Sequence, residues 1–150
     1  MQSKPTDELN ELLENMRPDQ LDSYMRENEK YLAGSRKGFS YYFKDVLADK
    51  RIKLKDVYMI ADVSESYGSK ILSMEKHAAD RDLILRLCIA GHFNLIEINR
   101  ALKLYGMSEL YAKDKRDACI IVAINNRIYE PYKIDEILID HGFPKLTSEK

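Results

Sequence analysis

The chain carries almost no net charge: 24 basic residues stand against 25 acidic ones, a balance of -1. That argues against a histone-like or purely electrostatic nucleic-acid binder, while leaving room for a sequence-specific one whose positive surface is local. Long hydrophobic runs are missing too. The longest, residues 118–124, is far too short to span a membrane. The first thirty residues are polar and acidic rather than cationic and then apolar, so no secretion signal is expected. Cysteine is scarce. Cys88 and Cys119 lie 31 positions apart, each inside an apolar run, which predicts buried thiols in a reducing compartment rather than a disulfide framework. A soluble, cytoplasmic protein with no membrane association is the expectation.

Chemistry-bearing patterns are equally sparse. There is no glycine-rich phosphate loop, nucleophile elbow or Cys–His constellation. His77, His92 and His141 share no ligand-like spacing with one another or with the cysteines, and a metal site needs three or four convergent ligands. Carboxylate pairs such as Glu8/Glu11 and Glu27/Glu29 read as solvated helix surface. The Arg116-Asp117 pair reads as a cap and salt bridge fixing a helix start. No enzyme, cofactor or metal is expected. Tryptophan is absent, whereas tyrosine occurs ten times. Tyrosines favour interfaces because they bury area and keep a polar handle, although boundary positions of a single monomer suit them equally. Tyr111, Tyr129 and Tyr132 are the ones to watch.

What is present is helical periodicity. Leu9, Leu12, Leu13 and Met16 recur at offsets of three and four, and Pro18 can open a second helix with Leu21, Tyr24 and Met25 on its apolar side. Gly34-Ser35-Arg36-Lys37-Gly38 reads as a flexible, basic linker. An N-terminal helical arm over 1–33, a linker over 34–38 and a main domain over 39–106 follow. In that domain Phe39, Phe43, Val46 and Leu47 share one face. Residues 54–61 and 65–73 form a helix pair, and Asp80 or Arg81 opens a helix with Leu83, Ile84, Leu87 and Cys88 inward and Gly91 as its stop. Asn94 with Glu97 makes a capping-box pattern for a helix lined by Ile98, Ala101, Leu102 and Tyr105 and ended by Gly106. A helical extension occupies 107–150. Its β-branched run 118–124 fits a buried strand by composition, but no partner strand is evident and helix is preferred. Pro131 then starts a last helix with Ile134, Ile137 and Leu138 inward before Gly142. The fold class is all-α.

The most informative stretch is 54–72. Two amphipathic segments flank Asp62-Val63-Ser64, a tight break with a built-in helix cap, which is the layout of a helix-turn-helix. Ser64 is a good N-cap, and Val57, Ile60, Val63 and Ile71 are expected to lock the two helices together. Asp56-Val57, Val63-Ser64-Glu65-Ser66-Tyr67 and Ile71-Leu72 carry a resemblance. So do Arg81-Asp82, Glu97-Ile98-Asn99-Arg100-Ala101-Leu102, Gly106, Leu110-Tyr111 and Arg116-Asp117-Ala118. The chain resembles the lambda-repressor-like (XRE, Cro/CI type) helix-turn-helix regulators, and more narrowly a Firmicute group with extra helices on both sides, over roughly 39–143. The resemblance implies a five-helix domain, double-stranded DNA as partner and a homodimer acting on two-fold-related half-sites. Three positions depart from the family pattern. Tyr58 stands where a small residue is usual, Asp62 where glycine is usual, and Gly68 where an apolar residue is common. Tyr58 has to point partly outward or spread the helices, unless Gly68 leaves it room.

In that reading Ser64, Glu65, Ser66, Tyr67, Ser69 and Lys70 present the DNA-reading face, because short polar side chains and a lysine can reach base edges or phosphates. Lys53, Lys55, Lys76, His77 and Arg81 sit at loops or helix ends suited to phosphate contact. Between positions 51 and 81 there are six Lys or Arg and five Asp or Glu, so strong non-specific affinity is not expected. The function expected is a sequence-specific DNA-binding transcriptional regulator. The alternative is a protein-interaction adaptor that keeps the helix-turn-helix fold without DNA binding and uses its flanking helices to reach a protein partner.

Overall fold

The computed structural model describes residues 6–28, 36–78 and 80–147, all of it helix and connecting turns. Nine α-helices occur among the described residues: α1 Thr6–Glu14, α2 Leu21–Glu27, α3 Arg36–Lys50, α4 Leu54–Ala61, α5 Glu65–Leu72, α6 Arg81–Ala90, α7 Leu95–Tyr105, α8 Lys115–Asn125 and α9 Pro131–Asp140. A single 3-10 turn, Pro18–Gln20, leads into α2. The all-α expectation holds, including helix rather than strand for the 118–124 run. None of the helices is long and apolar enough to cross a membrane.

Helix starts fall where short polar side chains accept from free backbone amides. Ser64 Oγ accepts from Tyr67 N at 3.1 Å, Asp80 Oδ1 from Leu83 N at 3.1 Å and Asp114 Oδ1 from Asp117 N at 2.9 Å. Asn94 and Glu97 exchange reciprocal 2.9 Å bonds. Each cap stabilises its helix by about 1 kcal/mol.

One continuous core joins α3 to α9. Phe39, Phe43, Phe93 and Tyr105 form its aromatic centre, with Phe39 edge-on to Tyr105 at 4.7 Å and Phe43 tilted against Phe93 at 4.9 Å. Ile120, Ile124, Ile134 and Leu138 bring α8 and α9 into the same cluster, while α1 and α2 contribute no residue to it. Leu12, Leu13, Leu21 and Met25 remain exposed on those first two helices, although Tyr24 is buried.

Two expectations need correcting. Arg36, Lys37 and Gly38, read as part of a flexible linker, are the first turn of α3; Gly34 and Ser35 lie outside the described residues. A glycine inside a helix costs up to about 1 kcal/mol, which burying neighbouring Phe39 outweighs. Ile60, expected to lock α4 to α5, is instead 38% exposed. The inward face of α4 is Val57, Tyr58 and Ala61, all buried. At 100° per residue, burying Tyr58 turns that face away from position 60.

Candidate nucleic-acid interface

The turn between α4 and α5 is built by Asp62, which takes the left-handed conformation (φ 58, ψ 51) without glycine. A short carboxylate side chain tolerates that region better than most. Val63 N then donates to Tyr58 O at 2.9 Å, closing α4, and Ser64 caps α5 one residue later. On α5 the buried residues are Gly68, Ile71 and Leu72. A Cβ at position 68 would stand 2.4 Å from Tyr58 Cε1, so Gly68 is the hollow that admits the Tyr58 ring. The ring therefore lies inward, 5% exposed. Burial and the neighbouring Glu65 charge push its hydroxyl pKa up.

With one face of α5 held inward, Ser64, Glu65, Ser66, Tyr67, Ser69 and Lys70 are all exposed. Glu65 sits in the first turn, where its negative charge favours the positive end of the helix dipole. Past the helix, Lys76 N donates to Lys70 O at 3.1 Å, which curls the chain back and brings the Lys76 ammonium over the Tyr67 ring at 5.9 Å. His77 is exposed beside it, its Nδ1 within 2.9 Å of Ala78 O and its ring against Tyr105 at 4.8 Å. The segment is anchored from below by Ala78 N, which donates to the Tyr105 hydroxyl at 2.8 Å. Eight of the expected contact residues, from Ser64 to His77, thus belong to α5, its N-cap and the turn that follows it.

The other three do not join them. Arg81 is turned inward. Its guanidinium pairs with Asp117 on α8 at 2.5 Å and donates to the carbonyls of Ser108 and Glu109 at 3.4 and 3.2 Å. The Arg116–Asp117 pairing expected from sequence is likewise replaced by a crosswise one. Arg116 grips Asp82 on α6 through two bonds of 3.0 and 2.9 Å. Adjacent helical residues point in different directions, so two Arg-Asp dipeptides on facing helices pair across rather than within. Strong hydrogen bonding to Asp82 raises the Arg116 pKa further. The repeated Arg-Asp at two helix starts was the available signal for this clasp.

Lys53 and Lys55 stand at the N-terminal end of α4, away from the turn. They line a separate groove of about 560 Å³ that runs from Arg51 past Met59 and Ile60 to Ala90 and His92. Met59 is 71% exposed in it. Arg51 (φ 58) and His92 (φ 64) both take left-handed backbone at its edges. Gly91 ends α6 as expected, but the left-handed residue there is His92. The His92 ring stacks on Tyr129 at 4.0 Å, and burial, then the Lys50 charge, lowers its pKa.

Among the described residues no three His, Cys, Asp or Glu side chains are grouped to hold a metal ion. Cys88 is fully buried with its thiol pKa pushed far up by burial, and Cys119 is partly buried. No protein-family model, curated protein or solved structure matches this chain.

Proposed function

We propose that α4 and α5 form a DNA-reading helix-turn-helix of the lambda-repressor-like type, and that the protein is a sequence-specific DNA-binding transcriptional regulator. The observation that carries this reading is the two-sidedness of α5: Gly68, Ile71 and Leu72 seat it on the core, and its outer face is a polar strip from Ser64 to Lys70. Such a strip, presented at the capped end of a helix, suits the major groove, where hydroxyls and a lysine meet base acceptors and phosphates. Lys70 and Lys76 supply the positive flank with His77 beside them, and Glu65 would accept from a cytosine amine. Five consecutive helices, α3 to α7, are available to frame the unit, the number this reading calls for.

The test is fluorescence anisotropy of the full chain against labelled duplexes from around its own gene, over a salt series. Selective binding that weakens with salt is expected, with Ser66→Ala plus Lys70→Ala losing about 10- to 100-fold in affinity. Both side chains are exposed, so the thermal midpoint should stay put. Absence of binding at low salt would overturn the reading in favour of the adaptor, and an unchanged affinity in the double variant would overturn the site.

A further inference from the structure

We propose that the groove beside α4 receives α1 of a second copy of this chain, in a reciprocal exchange that builds a two-fold dimer. The groove has an apolar floor, Met59 and Ile60, left open to solvent, and a cationic edge of Arg51, Lys53 and Lys55 against the single carboxylate of Asp56. The segment that complements it is in the same sequence. Helix α1 reads TDELNELLE, with four carboxylates (Asp7, Glu8, Glu11, Glu14), no cation and no buried residue. Leu12 and Leu13, both 42% exposed, share its apolar stripe with Leu9. An acidic helix with a bare leucine stripe and a basic groove with a bare methionine floor match in sign and in character. An amphipathic helix laid in a groove is a recurrent way of joining such surfaces.

The partner is a second copy because the groove is lined by residues from 51 to 92, and none of α1 enters it within one chain. Size points the same way. Nine helical residues span about 14 Å, and one such helix in one groove falls short of the roughly 1,200 Å² that a stable complex buries. Exchange in both directions doubles the contact, and the second docking becomes intramolecular once the first has formed. Two-fold closure also follows, since the same two patches are used on each side. The exposed face of α5 takes no part.

Sedimentation equilibrium of the full chain tests this without reference to DNA. A species of twice 17.5 kDa is expected, with association at least about 10-fold weaker for Leu12→Asp plus Leu13→Asp, and separately for Met59→Asp. These three positions are solvent-exposed, so circular dichroism should report intact helix. Charge reversal gives the sharper form. Glu8→Lys plus Glu11→Lys in one chain and Lys53→Glu plus Lys55→Glu in another should each lose the dimer, and mixing the two should restore it, because both arm-groove contacts are again complementary. A wild-type chain that stays monomeric at concentrations on the order of 0.1 mM overturns the proposal. So does a dimer indifferent to both sets of changes, or reversed chains that fail to re-pair while folded. Cross-linking of Leu12→Cys to Met59→Cys only within one chain would also overturn it.

Discussion

The Tyr58 ring occupies the space that a side chain at position 68 would need, with Cε1 only 2.4 Å from where that Cβ would be. Two residues that break the expected helix-turn-helix pattern are therefore one feature seen from both sides.

Gly68→Ala should destabilise the protein although alanine is the better helix former. Its gain of up to about 1 kcal/mol is outweighed by an overpacking cost of about 1–3 kcal/mol. In a Tyr58→Ala background the same change should become stabilising. Urea unfolding of the four chains forms a double-mutant cycle, and a Gly68→Ala effect of the same sign in both backgrounds would contradict the pairing.

The pairing also explains which parts of the structure were legible in sequence. Caps were in part: Ser64 and Asn94 satisfy backbone groups within three residues, so their meaning is local. Asp80 is one of two starts expected for α6, whereas α8 is capped by Asp114 and not by the Arg116-Asp117 pair expected to fix its start. The inward faces of α3, α6 and α7 were legible because their apolar positions keep one helical phase. α4 was not, since five consecutive apolar or aromatic residues, from Val57 to Ala61, allow two phases, and the choice depends on a glycine ten positions away. Taking Ile60 as inward chose the wrong phase, whereas the room that Gly68 could leave for Tyr58 is the option the structure takes. At the site, α5 could be read from its own alternation. The inward turn of Arg81 had only the repeated Arg-Asp dipeptide as its signal, because its partner Asp117 lies 36 residues on.

The crosswise clasp should be costly to open. Asp117 is almost fully buried and accepts from Arg81 and from Tyr111 N. Asp117→Ala should destabilise by on the order of 3 kcal/mol, leaving a guanidinium without its partner. Asp82→Ala should cost less, because both members of its pair keep about a fifth of their side-chain surface exposed. Equal effects in thermal unfolding would argue against this ranking.

If the proposed DNA-reading and dimer both hold, salt dependence should be shallow. Lys70 and Lys76 are the two lysines at the α5 face, so the proposed dimer brings four. Four neutralised phosphates give a slope of log affinity against log salt of about -3.6. A slope near twice that would mean that Lys53 and Lys55 also reach the duplex.

Stability should fall on mild acidification because of His92. Burial, then the Lys50 charge, holds its pKa in the folded chain below the ordinary 6.5. The unfolded chain therefore takes up its proton first as pH drops. The stabilisation is full above about 6.5 and is lost as pH falls from there through the lower folded value. His92→Asn, which tolerates the left-handed backbone at φ 64, should flatten the dependence between pH 7 and 5 in urea titrations. An unaltered slope would exclude His92 as its source.

The stretch between α7 and α8 has no regular structure, yet its backbone is tied on both sides. Leu110 N donates to Asn99 Oδ1 and Tyr111 N to Asp117 Oδ2, each at 2.9 Å, while Ser108 and Glu109 offer their carbonyls to Arg81. Backbone amides held by side chains packed into the frame, here the partly buried Asn99 and the buried Asp117, exchange with solvent only when those side chains let go. In deuterium uptake the amides of 110 and 111 should thus keep time with the helices, exchanging together when the Arg81–Asp117 clasp opens, and a connection that looks like a loop will behave as part of the frame.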